Sequence, residues 1–562
     1  MSRALIAALG ALAVTAAPAQ AGFRDSCERR DEVRVCTGMV ESFDGTPLDT
    51  TLTLPAKPRN PDRLPLVVFL HGFLSDKSEY ISDTRRGHDY KTVKLNNVRF
   101  ASRGYAVLNY SARGHGESGG QIGLASKHLE TRDTHHLTGL LVDDGLAHRK
   151  RVAAIGGSYG GGQTWLLVTV RGQGARRYGT WRSPGGRLVR LAAAVPQFTW
   201  TDLLSSLVPN GRDGEPTPLG VPKITLLDGF VASINTRMTE EVLRWLGRMN
   251  LGEPYDGDPI VEEAKEALTA DRSAYYQHGF FRALRRKKQR SIPILAAQGW
   301  TDPIFPAGEA VRMYRRLRSE RRRYPIQLYF GDFEHLTAQV KIPDMRYYHR
   351  LANRLVDRYL RGKRRRQPRW DVRSAPTLCD PEAFGPVVRA GTWDALQPDA
   401  LELALTGSRF TSSHVMDPRG VAADQVVVGL QRRGCITTEL PATSGVATWR
   451  AGLEDDFTLV GMPRLRLDYS ATGPDVQLSA RLWDVAPDGT QTLVTRGTYR
   501  VIEPGSGAQR LEYELFGNHW RFKAEHGILL EVTGDDSTFL RRNNIPSTIQ
   551  IDRAKLTLPG EA

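Results

Sequence analysis

Apolar and polar residues alternate over residues 33–55, and the alternation breaks once, at Phe43-Asp44-Gly45-Thr46. A period of two turns one face inward, and Asp-Gly is a hairpin signal, so two antiparallel strands are predicted there. The pattern then changes to short, continuous apolar runs at 64–70, 105–110, 152–155, 191–195, 292–298 and 326–330. Runs of this kind suit strands buried on both faces, and the helical stretches between them predict a parallel sheet covered on both sides. Between 196 and 290 the beat stops. Helical pieces at 239–249 and 261–268 replace strands, which predicts a helical cap inserted at about 197–290. A helix over 344–360 runs into the basic segment 361–369, whose Gly362 and Pro368 mark an interdomain linker. Beyond it, alternating runs at 464–469, 476–483 and 528–532, separated by turn residues, predict an all-β sandwich.

Composition adds a compartment to this picture. Arg3, an apolar run over 4–14 and the closing Ala19-Gln20-Ala21 form a secretory signal, so residues 1–21 are expected to be removed and the product exported. No later stretch is long and apolar enough to predict a membrane span. The four cysteines suit an oxidising compartment: Cys27 and Cys36 lie close together, and Cys379 and Cys435 both lie in the C-terminal third. Two local disulfides are expected, with the connectivity left open by the sequence. The chain of 562 residues exceeds the size of a single core, which agrees with two domains, 22–365 and 366–562. The net charge of +15 gathers in runs at 285–290, 321–323 and 363–366. These runs have no interleaved aromatics, so they are predicted to be solvated faces and no nucleic-acid partner is expected. No metal or cofactor is called for, and the pattern fixes no oligomeric state.

The chemistry is signalled by a serine among glycines. Gly156-Gly157-Ser158-Tyr159-Gly160 fits a nucleophile elbow, with an apolar strand before it and a helical run after it. A second match, Gly116-Glu117-Ser118-Gly119-Gly120, already follows its strand and leads into polar Gln121, so Ser118 is predicted to be loop and Ser158 the nucleophile. A serine hydroxyl needs a base, and that base needs a carboxylate to orient it. In doubly wound hydrolases the order is serine, acid, histidine, each past a late strand. The run at 292–298 leads to Asp302 and the run at 326–330 leads to His335. Asp332 and Glu334 compete with Asp302 for the acid role, but both are so near His335 in sequence that they are expected to shape its loop. For the oxyanion, backbone donors are predicted at Tyr159, the residue after the nucleophile, and at Phe73, which follows the first parallel strand through His71-Gly72.

With these residues in place, the chain resembles the X-prolyl dipeptidyl peptidase and cocaine-esterase-like (CocE/NonD) serine hydrolases. The resemblance rests on residues 44–48 (DGTPL), 113–118 (RGHGES), the GGSYG around Ser158, 299–302 (GWTD), 357–362 (DRYLRG) and 482–489 (LWDVAPDG). It implies an α/β-hydrolase fold with an inserted helical cap, followed by a jelly-roll (galactose-binding-like) sandwich. The implied activities are release of dipeptides with proline second, ester cleavage and amide acyl transfer. Many members draw an oxyanion donor from a tyrosine in an Arg-x-Pro-Tyr segment after the first parallel strand. Here that place reads His71-Gly72-Phe73, so substrate preferences tied to that tyrosine do not carry over. The expected function is a secreted serine hydrolase acting on a small-molecule or peptide substrate. Its alternatives are a carboxylesterase or acylase without peptidase activity, and a non-catalytic surface-binding protein on the same fold. A dipeptidyl peptidase needs a cap carboxylate for the substrate's amine, and Asp202, Asp228, Glu240 and Glu241 are available.

Overall fold

The computed structural model describes residues 22–57, 63–211, 218–224, 237–333, 335, 340–362, 370–413, 417–424 and 434–561. The expected signal segment, Asp228, Glu334 and the basic run at 363–366 lie outside these residues.

The hairpin forms as its pattern predicts. Strands β2 (Val33–Glu41) and β3 (Pro47–Pro55) pair antiparallel around Asp44-Gly45, with Gly45 at φ 83°. A preceding strand, β1 (Ser26–Arg30), was not legible, because all five of its residues are exposed and carry no alternation. It pairs with β2 so that Cys27 faces Cys36, and the two are joined by a disulfide. The second disulfide joins Cys379 to Cys435.

The apolar runs become β4 (Leu64–Leu70), β5 (Ala106–Tyr110), β6 (Ala147–Gly157), β8 (Leu188–Gln197), β9 (Ile294–Gly299) and β10 (Ile326–Gly331), while the short β7 (Thr180–Arg182) pairs beside β8. From β5 through β4, β6, β8 and β9 to β10 the pairing is parallel. Burial on both faces explains the continuous apolar runs. Leu66, Val68 and Leu70 enter one hydrophobic cluster, whereas Val67 and Phe69 enter the other. Two more short strands, β11 (Val372–Ser374) and β12 (Val388–Ala390), extend the same sheet beyond β10. They come from the stretch between the basic segment and the sandwich.

The interruption after β8 is helical in its described residues, with helices Leu203–Leu207, Glu240–Leu251, Pro259–Glu266 and His278–Arg285. The helix before the basic segment runs Ile342–Arg361 and stops at Gly362, whose φ of 63° suits a residue without a side chain. Among its described residues the C-terminal part packs a seven-stranded against a five-stranded antiparallel sheet. Leu465, Leu467, Leu478, Ala480, Leu530 and Val532, all from the alternating runs, fill the core between them. Among the described residues no helix is long and apolar enough to cross a membrane.

Candidate active site

Ser158 occupies the step from β6 into helix α3 (Tyr159–Thr169), at φ 53° and ψ −120°. A non-glycine residue held there is strained by roughly 1–3 kcal/mol, so its surroundings have to fix it. They do: Ser158 N donates to Gln197 O at 3.0 Å, and Thr199 Oγ1 donates to Ser158 O at 2.6 Å. The flanking glycines answer to crowding. A Cβ on Gly160 would lie 2.0 Å from the Leu70 carbonyl oxygen, and one on Gly156 would lie 2.3 Å from the Gly160 carbonyl oxygen. Only missing side chains let α3 start so close to the ends of β4 and β6.

The two loops expected to supply the acid and the base meet. His335 Nδ1 lies 2.7 Å from Asp302 Oδ2, and the Asp302 side chain is fully buried. Its other oxygen accepts from the amides of Ile304 at 2.9 Å and Phe305 at 3.1 Å, so the carboxylate cannot swing away from the ring. The imidazole stands edge-to-face with Phe198 and Phe305, each at 5.3 Å between ring centres, and its Nε2 is shielded from solvent and has no hydrogen-bond partner among the described residues. Asp332, a competitor for the acid role, is engaged elsewhere: it pairs with Lys341 Nζ at 2.5 Å and accepts from Leu378 N at 2.9 Å. Burial raises its pKa.

The backbone-donor candidates also sit beside the serine. Tyr159 is the first residue of α3, and its hydroxyl donates to the buried Glu130 at 2.8 Å while accepting from Ala125 N at 3.0 Å. A Cβ on Gly72 would be 3.6 Å from Ser158 Cβ, which places the segment ahead of Phe73 against Ser158. The Phe73 ring lies 5.6 Å from that of Tyr159 and 5.7 Å from that of His115. His71 donates from Nδ1 to Gly72 O at 2.7 Å and accepts Ala112 N on Nε2 at 2.8 Å, a neutral tautomer that burial favours by lowering its pKa. Burial pushes His115 down to about 3, so it too is neutral.

Arg113 and Ser118, from the other motifs, are held in structural contacts. Arg113 makes a two-pronged ion pair with Asp133 and reaches Asp44 in the hairpin turn at 3.0 Å, tying that turn to the sheet's end. Ser118 Oγ donates to Ser111 O at 2.6 Å and accepts Asp49 N at 2.9 Å, a loop fastener rather than an exposed hydroxyl. In the cap, Asp202 is buried, accepts from Tyr276 Oη at 2.9 Å and Ser205 Oγ at 2.7 Å, and caps the helix Leu203–Leu207. Glu240 and Glu241 are exposed at the start of their helix. The sequence reading missed Phe198 and Phe305, which frame the imidazole, and Lys223, which donates to Ile304 O at 2.8 Å. Their positions follow β8, β9 and a non-repetitive cap segment, where no period marks them.

Two family models match the chain. Residues 44–176 match X-Pro dipeptidyl-peptidase (S15 family), and residues 373–561 match the X-Pro dipeptidyl-peptidase C-terminal non-catalytic domain. A comparison with curated protein sequences finds no match. Among solved structures, an aminopeptidase from a marine sediment Thaumarchaeota archaeon aligns with TM-score 0.65 at 16% identity, over 94% of this chain and 97% of its own. An α-amino acid ester hydrolase aligns with TM-score 0.67 at 15% identity, over 98% and 100%. A CocE/NonD family hydrolase from Staphylococcus aureus aligns with TM-score 0.60 at 14% identity, over 94% of each chain. At these identities the three share the fold.

Proposed function

Because the chain belongs to the S15 X-Pro dipeptidyl-peptidase family and is a serine hydrolase, we propose that it is an exported enzyme that cleaves ester or peptide bonds through an acyl-enzyme on Ser158. The observation that carries this reading is the 2.7 Å bond between His335 Nδ1 and the buried Asp302, which leaves Nε2 sheltered and, among the described residues, without a partner. The carboxylate fixes the tautomer with its proton on Nδ1, so Nε2 can take the Ser158 proton as Oγ attacks the substrate carbonyl. The negative charge on the former carbonyl oxygen is met by the amides of Tyr159 and Phe73, the first lying at the positive end of α3. Collapse breaks the ester or amide bond, and His335 hands its proton to the departing alcohol or amine. Water then attacks the acyl group by the same route, which frees the acid and restores the serine. The two disulfides support the exported setting.

Two substrate classes fit this chemistry. The family supports peptides with proline second. An ester hydrolase without peptidase activity is favoured by the cap, where Asp202 is already engaged and Glu240 and Glu241 face solvent. Assaying the purified protein in parallel on short-chain p-nitrophenyl esters and on an Ala-Pro anilide separates them. Turnover of the anilide supports the dipeptidyl-peptidase reading, turnover of esters alone supports the second, and turnover of neither sinks both.

A further inference from the structure

The loop carrying Asp302 is fastened on both sides to groups the chemistry above does not use. Two residues before Asp302, Trp300 Nε1 donates to Ser374 Oγ at 3.0 Å, and Ser374 Oγ bonds Nδ1 of His519 in the sandwich at 2.7 Å. Two residues after it, the Ile304 carbonyl accepts from Lys223 Nζ at 2.8 Å. Ile304 also supplies one of the two amides that grip Asp302 Oδ1, so the lysine acts on the peptide framework that holds the acid.

Lys223 is wholly buried. Its Nζ stands 5.1 Å from the ring centre of Phe516 and 5.9 Å from that of Phe539, both in the sandwich. Its neighbours lock the segment in place: Arg541 N donates to Pro222 O at 2.8 Å, Ile224 N donates to Phe539 O at 3.1 Å, and Lys223 N donates to Leu207 O at 3.0 Å. The lysine therefore sits where cap, sandwich and the acid's loop converge. Burial works against its charge, as does Arg496, while Asp302 and Glu309 favour it. A buried ammonium is costly in an apolar setting. Met would fill similar space without that cost, so a role at the carbonyl it holds is the physical reason for a lysine here.

We propose that Lys223 is a positioning residue of this hydrolase, which fixes the Asp302 turn through the Ile304 carbonyl and thereby makes the acid's placement depend on the seated sandwich. The proposal rests on the Ser158, His335 and Asp302 reading above. It is tested by steady-state kinetics and thermal melts of the full chain as Lys223→Met, Phe516→Leu, Asp302→Asn and the Lys223→Met/Asp302→Asn double variant, on whichever ester or anilide the parent hydrolyses. Lys223→Met should lower kcat about tenfold to a hundredfold with KM within about twofold, the range found when a supporting group or a fraction of an ångström of placement is lost. Its Tm should equal or exceed the parent's, because a buried charge is removed. In the Asp302→Asn background the same change should cost nothing further, since the oriented group is already disabled. Phe516→Leu, which loosens the ring over the ammonium and leaves the charge in place, should lower kcat about twofold to fivefold at unchanged KM.

A parent-like kcat in Lys223→Met overturns the proposal, as does an equal loss in both backgrounds. If Lys223→Met fails to fold, Phe516→Leu decides, and a parent-like kcat there overturns the coupling. Failure of the underlying reading looks different: Asp302→Asn would itself turn over normally, and the positioning role would fall with it. A dead Asp302→Asn beside a normal Lys223→Met strikes only the positioning role.

Discussion

Ser158 and Ser118 share a five-residue pattern, and what separates them is what each hydroxyl already does. Both bonds of Ser118 fasten a loop, to Ser111 O and from Asp49 N. Ser118→Ala should cost about 1 kcal/mol in urea unfolding and leave turnover nearly intact, whereas Ser158→Ala should lower kcat on the order of 10⁴-fold or more. Equal losses of kcat in the two variants would remove Ser158 from the nucleophile's place. The acids divide in the same way. Asp302→Asn should lower kcat about 10⁴-fold with an unchanged melt, because the imidazole takes the wrong tautomer. Asp332→Asn should instead lower the melting temperature, since it leaves the buried Lys341 without its ion partner, a loss of roughly 3–5 kcal/mol. If Asp332→Asn melts like the parent and has lost its turnover, the acid role belongs to Asp332. Lys223 adds a dependence on pH. Burial, aided by Arg496 and opposed by Asp302 and Glu309, holds it at about 7, against 10.5 for a free lysine. Between those two values the unfolded chain binds more protons than the folded one, so stability rises with pH from about 7 towards 10, whereas below 7 both states hold the proton and this group adds no pH dependence. The stability advantage of Lys223→Met over the parent should therefore be largest at pH 7 and below and shrink by pH 9.5, measured as urea midpoints. A constant advantage across that range would mean that Lys223 titrates normally.

Elements were legible where burial imposes a period and illegible where it does not. The parallel strands show as apolar runs because both of their faces are covered, as the opposite clusters of Leu66 and Val67 illustrate. The sandwich strands show through alternation because one face meets the core and the other meets solvent. β1 escaped because it is wholly exposed, and its only trace was the spacing of Cys27 from Cys36. β11 and β12, three residues each, are too short for any period to register. The candidate site was legible through the elements that carry it, since Ser158, Asp302 and His335 all follow strands of the parallel series. Lys223 was not, being one of 77 basic residues in a segment without periodicity. The elbow itself depends on how closely α3 approaches β4. Gly160→Ala would place a methyl 2.0 Å from the Leu70 carbonyl oxygen, which is backbone and cannot rotate aside. The variant should lose both soluble yield and turnover. A well-folded, active Gly160→Ala would show that strand and helix have room to part, and that the glycines at the elbow are not explained by crowding.

At the scale of the molecule, the sandwich can be either an attachment or part of the enzyme. An attachment would be joined by a linker with little else crossing, and its removal would leave an intact hydrolase. What crosses here is extensive. β11 adds to the parallel sheet beside β10, and Leu378 bonds both Asp332 and Lys341 next to the loop of His335. Trp393 packs against Phe330 and Trp300 from the far side of the basic segment. Arg541 donates to the carbonyls of Asn250 and Leu251 in the cap, and Arg500 donates to that of Leu219. The Cys379–Cys435 disulfide closes a span of 56 residues and binds the strand-adding segment to the sandwich, a closure worth roughly 4 kcal/mol in the chain-entropy model. A chain ended at residue 366 would therefore uncover the edge of β10, the face of Trp300 and the packed surroundings of Lys223 together. Apolar surface of that extent drives association, and the loops of Asp302 and His335 would lose the contacts that place them. Residues 22–366 expressed alone should aggregate or elute as oligomers, melt below the full chain and hydrolyse the parent's substrate at least a hundredfold more slowly, on the order expected when a catalytic constellation loses its support. Size-exclusion chromatography, a thermal melt and the parent's own assay decide it. A monomer that melts cooperatively at the parent's temperature and turns over at the parent's rate would make the sandwich an attachment and free Ser158, Asp302 and His335 from it.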